Sequence, residues 1–122
     1  MSILEEHIAA FRTTAAHLEA RIATLATLSV TTPASVFHAL WERDMVVTLC
    51  DRGAQHTVAI GVKRVRGWGH IGPDTVPDGI TREELRAFTN LTTTAGKQTA
   101  RITREITDLV RIAHHTINKA TP

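Results

Sequence analysis

The 122-residue sequence contains one cysteine, no tyrosine and few aromatic residues of any kind. A single cysteine, Cys50, excludes an intramolecular disulfide framework, so a packed core has to hold the fold together. Aromatic residues make up only 4% of the chain, and that core must therefore come mainly from Ala, Val, Ile and Leu. The hydrophobic content of 43% is ordinary for a globular protein. We predict a single domain spanning residues 1–122.

The sequence also lacks the segments and motifs that mark secreted proteins, membrane proteins and familiar enzymes. The N-terminus is acidic early and has no basic region before an apolar run, so no signal peptide is predicted. No apolar stretch approaches the ~18 residues that a transmembrane helix needs. The metal-binding and phosphate-binding patterns C-x-x-C, H-E-x-x-H and G-x-x-x-x-G-K-[ST] are absent. These absences predict a cytoplasmic, non-enzymatic protein with no cofactor and no metal, and they give no reason to expect membrane binding.

The first quarter of the chain has the pattern of an amphipathic helix over residues 3–28. Ser2 can cap the first free amides, and Glu5 completes a capping-box pattern. Apolar residues recur at alternating spacings of four and three: Leu4, Ile8, Phe11, Ala15, Leu18, Ile22 and Leu25. A stripe of this kind serves a core within one chain or a coiled coil between chains, and the two uses are compatible.

A second, shorter helix is predicted over residues 33–43. Thr32 followed by Pro33 is a good helix start, because proline suits the first helical position. The predicted apolar side of this helix consists of Val36, Phe37, Leu40 and Trp41. His38 and Glu42 are four residues apart, which predicts a surface contact in preference to a shared metal or proton.

Residues 45–66 read as an antiparallel β-hairpin. Two runs rich in β-branched residues flank the stretch DRGAQ, in which Asp51 and Gly53 are typical turn residues. A loop is predicted over residues 67–80. The short helix before a hairpin is similar to part of a winged-helix regulator, but no helix-turn-helix pair supplies a recognition helix, so we infer no membership of that family.

A basic segment ends the predicted hairpin and leads into the loop. Its members are Lys63, Arg64, Arg66, Trp68 and His70. The net charge of the chain is only +2, so any affinity for a polyanion has to come from such local clustering. Side chains two residues apart on a strand are ~6.6 Å apart, a spacing comparable to that of phosphates on one nucleic-acid strand. The same charges equally suit a strand edge that is protected from aggregation.

The strongest helix start in the chain is Thr81 with Glu84 three residues later, a second capping-box pattern. Positions at spacings of three and four then form one long stripe: Leu85, Phe88, Thr92, Ala95, Thr99, Ile102, Ile106, Leu109, Ala113 and Ile117. The pattern predicts a long helix over residues 82–118. Because residues 90–97 are poor in helix formers and include Gly96, the helix is either continuous or bent there, and the unbroken stripe favours continuity.

Together these elements predict an α+β, mostly helical fold, in which two long helices pack antiparallel with the short helix and the hairpin inserted between them. The last helix is the longer one and would leave about ten residues of its stripe uncovered, which predicts a homo-oligomer. The predicted oligomer interface consists of Phe88, Ile102, Ile106, Leu109 and Ile117. The sequence favours an assembly protein that self-associates and presents its basic hairpin to a protein partner. The alternative is a small nucleic-acid-binding or regulatory protein that uses the hairpin as a wing.

Overall fold

The structure is a computed structural model that describes residues 2–62 and 79–120. Within these ranges the chain forms three helices and no strand: α1 (Ile3–Thr27), α2 (Pro33–Ile60) and α3 (Arg82–Ala120). The helices pack as a three-helix bundle. The predicted α+β class is therefore wrong for the part of the chain that the structure describes.

The predicted β-hairpin is replaced by the second half of α2. This helix is 28 residues long, so it continues past the expected end at residue 43 and through both supposed strands as far as Ile60. It ends at Gly61, whose left-handed backbone (φ 95°) allows its N–H to bond the carbonyls of Thr57 and Val58. The remainder of the predicted hairpin, residues 63–66, and nearly all of the predicted loop lie outside the described residues.

The buried positions of α2 explain why the sequence pattern does not predict a continuous helix over residues 33–60. They are spaced by three and four throughout, as in any core-facing helix, and they are Ala39, Glu42, Val46, Leu49, Gly53, Thr57 and Ile60. Two of the seven residues are polar and one is glycine. A search for apolar residues at helical spacing therefore does not detect this stripe. The Thr57 hydroxyl donates to the carbonyl of Gly53 at 2.7 Å, which satisfies this buried group within the helix.

Helices α1 and α3, which the sequence analysis predicts to be antiparallel, run parallel. Near their N-terminal ends Arg12 on α1 donates to Glu84 on α3, with Nε 2.8 Å from Oε2. Near the other end of α1, Arg101 on α3 donates to the Leu25 carbonyl at 2.8 Å. The predicted antiparallel packing of these helices is wrong, because α2 is long enough to carry the chain back along the whole bundle before α3 begins.

Helix α2 is antiparallel to α1, as two long-range contacts show. Arg21, late in α1, bonds Glu42, early in α2, at 2.9 Å. His7, early in α1, lies beside His56, late in α2. The bundle therefore has one end with the start of α1, the end of α2 and the start of α3, and an opposite end with the connection of residues 28–32.

The core of the bundle is centred on an aromatic pair. The rings of Phe11 and Phe88 have centroids 5.0 Å apart, and both side chains are 1% exposed. Gly53 of α2 lies directly against the second ring, so that a Cβ at this position would be 2.5 Å from Cε2 of Phe88 and closer still to Cζ. The residue that resembled a turn signal is thus a close-packing position between two helices.

Helices α1 and α3 begin at the capping residues that the sequence predicts. Ser2 Oγ accepts the Glu5 N–H at 3.1 Å. The Glu84 N–H donates to Thr81 Oγ1 at 3.1 Å, and the Thr81 N–H donates back to Glu84 Oε1 at 3.3 Å. The predicted Ser2 cap and the predicted capping box at Thr81 are confirmed. Helix α3 then continues without interruption through residues 90–97.

Candidate self-association surface

Helix α3 is much longer than the helices it packs against. It has 39 residues, whereas α1 has 25 and α2 has 28. Ile102 is fully buried and Ile106 packs partly buried against the core, but beyond that point every position up to 119 except Leu109 is exposed. We call residues 107–120 the α3 extension. At 1.5 Å per residue it continues about 20 Å past the last core contact.

The apolar stripe of α3 does not stop where the core stops. At 100° per residue, Leu109, Ala113 and Ile117 lie within about 40° of the line through Ile102 and Ile106. The stripe on the extension is therefore the continuation of the side of α3 that faces the core. Val110, Ile112 and Ile117 are 45%, 55% and 62% exposed. Several large apolar side chains at the surface of one short segment are typical of an interaction site.

Arg101 joins α3 to the end of α1 shortly before the extension begins. Its guanidinium donates to the carbonyls of Leu25, Ala26 and Leu28, at 2.8, 3.3 and 3.3 Å, and so satisfies the free carbonyls at the end of α1. The same group bonds Glu105 Oε1 at 2.8 Å. The end of α1 is thereby joined to α3 shortly before the extension, and no local sequence pattern indicates this contact because its partners are more than 70 residues apart.

Two of the four aromatic residues that the structure describes lie at the surface near the same end of the bundle. Phe37 is 76% exposed and Trp41 is 54% exposed, since α2 buries Ala39 and Glu42 instead. The guanidinium carbon of Arg21 lies 5.1 Å from the centroid of the Trp41 ring, a cation–π contact. The sequence pattern had predicted both aromatic side chains on the buried side of the second helix.

A buried carboxylate links α1 and α2 close to Trp41 in the sequence. Glu42 is only 4% exposed, and its Oε1 accepts from Arg21 at 2.9 Å. His38 Nε2 lies 3.7 Å from the same oxygen, while Oε2 has no hydrogen-bond partner among the described residues. The contact between His38 and Glu42 thus belongs to a structural ion pair between helices. In residues 2–62 and 79–120 no group of three or more His, Cys, Asp or Glu side chains could hold a metal ion.

The thiol of Cys50 lies in an environment that does not activate it. Cys50 lines a groove of about 330 Å³ between α2 and α3, together with Phe88, Thr92 and Gly96. Burial, followed by the nearby Asp51 carboxylate, raises the pKa of the thiol, which disfavours the reactive thiolate. This environment suits a packed, unreactive cysteine.

One pair of histidines meets at the opposite end of the bundle. His7 Nδ1 and His56 Nδ1 are 3.3 Å apart, and the two rings are tilted by 52°. Burial lowers the pKa of His56, and the positive charges that His7 and Arg52 can carry lower it further. Neutral imidazoles can share one hydrogen bond at this distance, so the pair fastens the start of α1 to the end of α2.

The predicted oligomer residues fall into two groups. Phe88 and Ile102 are 1% and 0% exposed in the core of a single chain, so they have little surface to offer a second copy. Ile106 and Leu109 are partly buried at the root of the extension, and Ile117 is exposed near its tip. Sequence reasoning missed two exposed residues of the extension, Val110 and Ile112, because neither lies on the single line of positions that it followed.

The predicted anionic-partner residues are not among those that the structure describes. Lys63, Arg64, Arg66, Trp68 and His70 all lie within residues 63–78. Binding of an anionic partner by this segment stays a prediction from the sequence.

None of the three helices, as far as the structure describes them, is long and apolar enough to cross a membrane. Comparisons with protein-family models, with curated proteins and with solved structures find no match for this chain.

Proposed function

We propose that this protein is a non-enzymatic interaction protein that self-associates through the α3 extension. The observation that carries the proposal is the apolar stripe of α3, which continues in line past the end of the core and is exposed there. A helix that only completed its own bundle would need no apolar positions beyond Ile106. The extension has Leu109, Val110, Ile112 and Ile117 after that point.

Every position from 110 to 119 is exposed in the single chain, as far as the structure describes it. A second copy of the chain offers a matching helix with the same stripe.

The expected self-association is weak and reversible. Each of the four apolar side chains is already partly covered, so its further burial contributes roughly 1 kcal/mol. Eight such side chains in two copies contribute about 8 kcal/mol, against an association cost of at least about 4 kcal/mol. The balance is at most about 4 kcal/mol, which corresponds to a dimer that forms in the millimolar range or above and not to an obligate one.

Sedimentation velocity over a wide range of concentrations tests the proposal. The mass of the wild-type protein should rise with concentration towards that of a dimer. Ile117→Glu should remain monomeric at every concentration, because a carboxylate would have to be desolvated in the interface. His115→Glu is the matched control, since it adds the same charge to the same exposed segment but on the side of the helix away from the stripe.

Circular dichroism of each variant should show the wild-type helix content, because both substitutions lie outside the core. A wild-type protein that is monomeric throughout the range would overturn the proposal. So would an Ile117→Glu variant that dimerises as well as His115→Glu does.

A further inference from the structure

Helices α2 and α3 leave an open groove of about 330 Å³ between them, which we call the α2–α3 groove. Val47, which lines its α2 wall, is 46% exposed. A Cβ at Gly96 on the α3 wall would meet nothing within 4 Å. The small residues that line the groove are Cys50, Ala54, Thr92, Ala95, Gly96 and Thr99. In the described part of the chain the groove therefore has room for apolar side chains that the bundle itself does not supply.

A second stripe of α3 runs from this groove into the extension, next to the core-facing stripe. Its members are spaced by four and three throughout: Thr92, Gly96, Thr99, Thr103, Ile106, Val110, Ala113 and Ile117. The half along the bundle consists of threonine and glycine, whereas the other half has the large apolar residues Ile106, Val110 and Ile117. Unbroken spacing of this kind is what two helices need to pack along their length.

We infer that the α3 extension of each copy lies in the α2–α3 groove of the other, with the two α3 helices antiparallel. The extension then serves as a fourth helix for the second bundle. This inference rests on the self-association proposed above and names the surface that receives the extension.

The second stripe matches itself when it is reversed. With a two-fold axis between residues 104 and 105, the half with the large residues lies along the half with the small ones. The levels are Ile117 with Thr92, Ala113 with Gly96, Val110 with Thr99, and Ile106 with Thr103. Large side chains opposite small ones at the same spacing can interdigitate, which favours this register.

The same register keeps the two bundles apart. Residues 107–120 of one copy lie level with residues 89–102 of the other, so each extension runs beside the second bundle for its whole length. The last fully buried residue of α3 is Ile102. The two cores therefore lie end to end along the pair and do not overlap.

The α2 wall of the groove suits the rest of the extension. A two-fold axis between antiparallel helices brings like edges together, so the core-facing edge of the extension, with Leu109, lies towards the exposed Val47 of the second copy. Gly53 lies against Phe88, which places Asp51 about level with residue 90 of its own α3. Lys119 of the other copy reaches the same level. Both residues are exposed in the single chain, and their opposite charges favour this orientation.

Gly96→Phe tests whether the groove is the docking surface. Residue 96 lies level with Ala113 of the second copy, so an aromatic side chain there fills the space that the extension needs. We expect Gly96→Phe to stay monomeric in sedimentation velocity at concentrations at which the wild type associates. Thr94→Phe is the matched control, because residue 94 is exposed and lies about 160° away from residue 96 around the helix. Circular dichroism should show the wild-type helix content for both variants.

Disulfide trapping in a Cys50→Ser background tests the register, because a disulfide needs Cα atoms within about 7 Å. A mixture of Thr99→Cys and Val110→Cys proteins should form the mixed disulfide readily in mild oxidant. Neither protein should link to its own copies, which in this register are about 16 Å apart along the helices. A mixture of Thr99→Cys and His115→Cys provides the background rate, since His115 lies on the opposite side of the extension.

A monomeric Gly96→Phe variant, an associating Thr94→Phe variant and the mixed disulfide are together the result that supports the inference. Association of Gly96→Phe as strong as that of Thr94→Phe, or mixed linking only at the background rate, would overturn it and leave self-association intact. Self-linking of Val110→Cys above the background would show a parallel pair and overturn it as well. A wild-type protein that is monomeric at every concentration would overturn self-association itself.

Discussion

Gly53 and Gly96 both lie within helices, and we expect alanine at these two positions to have opposite effects. Alanine lacks the conformational freedom of glycine and favours a helix by about 1 kcal/mol. Nothing lies within 4 Å of a Cβ at Gly96, so Gly96→Ala should gain most of that amount. At Gly53 the new methyl group would be driven into the ring of Phe88, with 2.5 Å to Cε2.

The ring cannot move aside cheaply. Phe88 is 1% exposed and packs against Phe11 with ring centroids 5.0 Å apart, so the clash must be relieved by shifting two helices or two aromatic side chains. Overpacking of this kind costs up to about 3 kcal/mol. After the helix gain of about 1 kcal/mol, Gly53→Ala should destabilise the protein by about 2 kcal/mol.

Urea denaturation and thermal unfolding measure the contrast. The two alanine variants should differ by about 3 kcal/mol, which for a chain of this size is about 10 °C in Tm. Adding Phe88→Leu should cost less in the Gly53→Ala background than in the wild type, because the smaller side chain relieves the clash. If Gly53→Ala proved as stable as Gly96→Ala, or if the two changes at residues 53 and 88 were simply additive, the close packing of α2 on α3 would be refuted.

Three further perturbations follow from the ion pairs and the buried thiol. Hydrogen bonding to Arg12 holds the pKa of Glu84 below its usual range, so the stability that this carboxylate contributes is present at neutral pH and is lost as the pH falls through its folded pKa. Glu84→Gln keeps the capping geometry, and its stability deficit in urea titrations should therefore shrink to nothing at low pH. Arg21→Ala should destabilise the protein by about 2 kcal/mol, because it leaves the buried Glu42 carboxylate without its cation; this value is already reduced because the Arg21 side chain is one-third exposed. A double variant that also carries Glu42→Gln should recover part of this loss of stability. Additive effects of the two substitutions would contradict the pairing of Arg21 with Glu42. Burial raises the pKa of Cys50, so a thiol reagent should modify the folded chain far more slowly than the chain in urea, and equal rates would show that the thiol is accessible.

The helix starts and the long stripes were predictable because each depends on residues close together in the sequence. The Thr81 box involves positions three apart, and the stripe of α3 keeps its period over the whole helix. Hydrophobic periodicity also showed that α3 has more apolar length than the other helices can cover.

The second half of α2 was not predictable in the same way. Glycine at residue 53 resembled a turn, and only the ring of Phe88, which lies on another helix, gives glycine a reason to be there. Glu42 and Thr57 occupy buried positions of the α2 stripe although they are polar. Glu42 accepts a hydrogen bond from Arg21, and Thr57 donates one to the Gly53 carbonyl. The predicted short helix and hairpin together do not return the chain to the start of α1, whereas the continuous α2 does. This is why the sequence analysis wrongly predicts that α3 runs antiparallel to α1.

The candidate surface was predictable only in part. The stripe indicated an uncovered end of α3, but Phe88 and Ile102 were assigned to that surface although they belong to the core of one chain. Which residues of a stripe stay exposed depends on where α1 ends. At that end Arg101 bonds the carbonyls of Leu25, Ala26 and Leu28, a contact that no local pattern encodes.

The unequal connections of the bundle also bear on the order in which the protein folds during synthesis. Helices α1 and α2 are joined by the short connection of residues 28–32 and form a local hairpin, whereas α3 follows only after residues 61–81. Short-range pairs of helices form fastest, so we expect α1 and α2 to associate while α3 is still being made. At about 5–20 residues per second, the ribosome needs roughly 2–8 s to add the 39 residues of α3. During those seconds Phe11 and Val46 lack the helix that completes their core, and the nascent hairpin is a natural client for a chaperone.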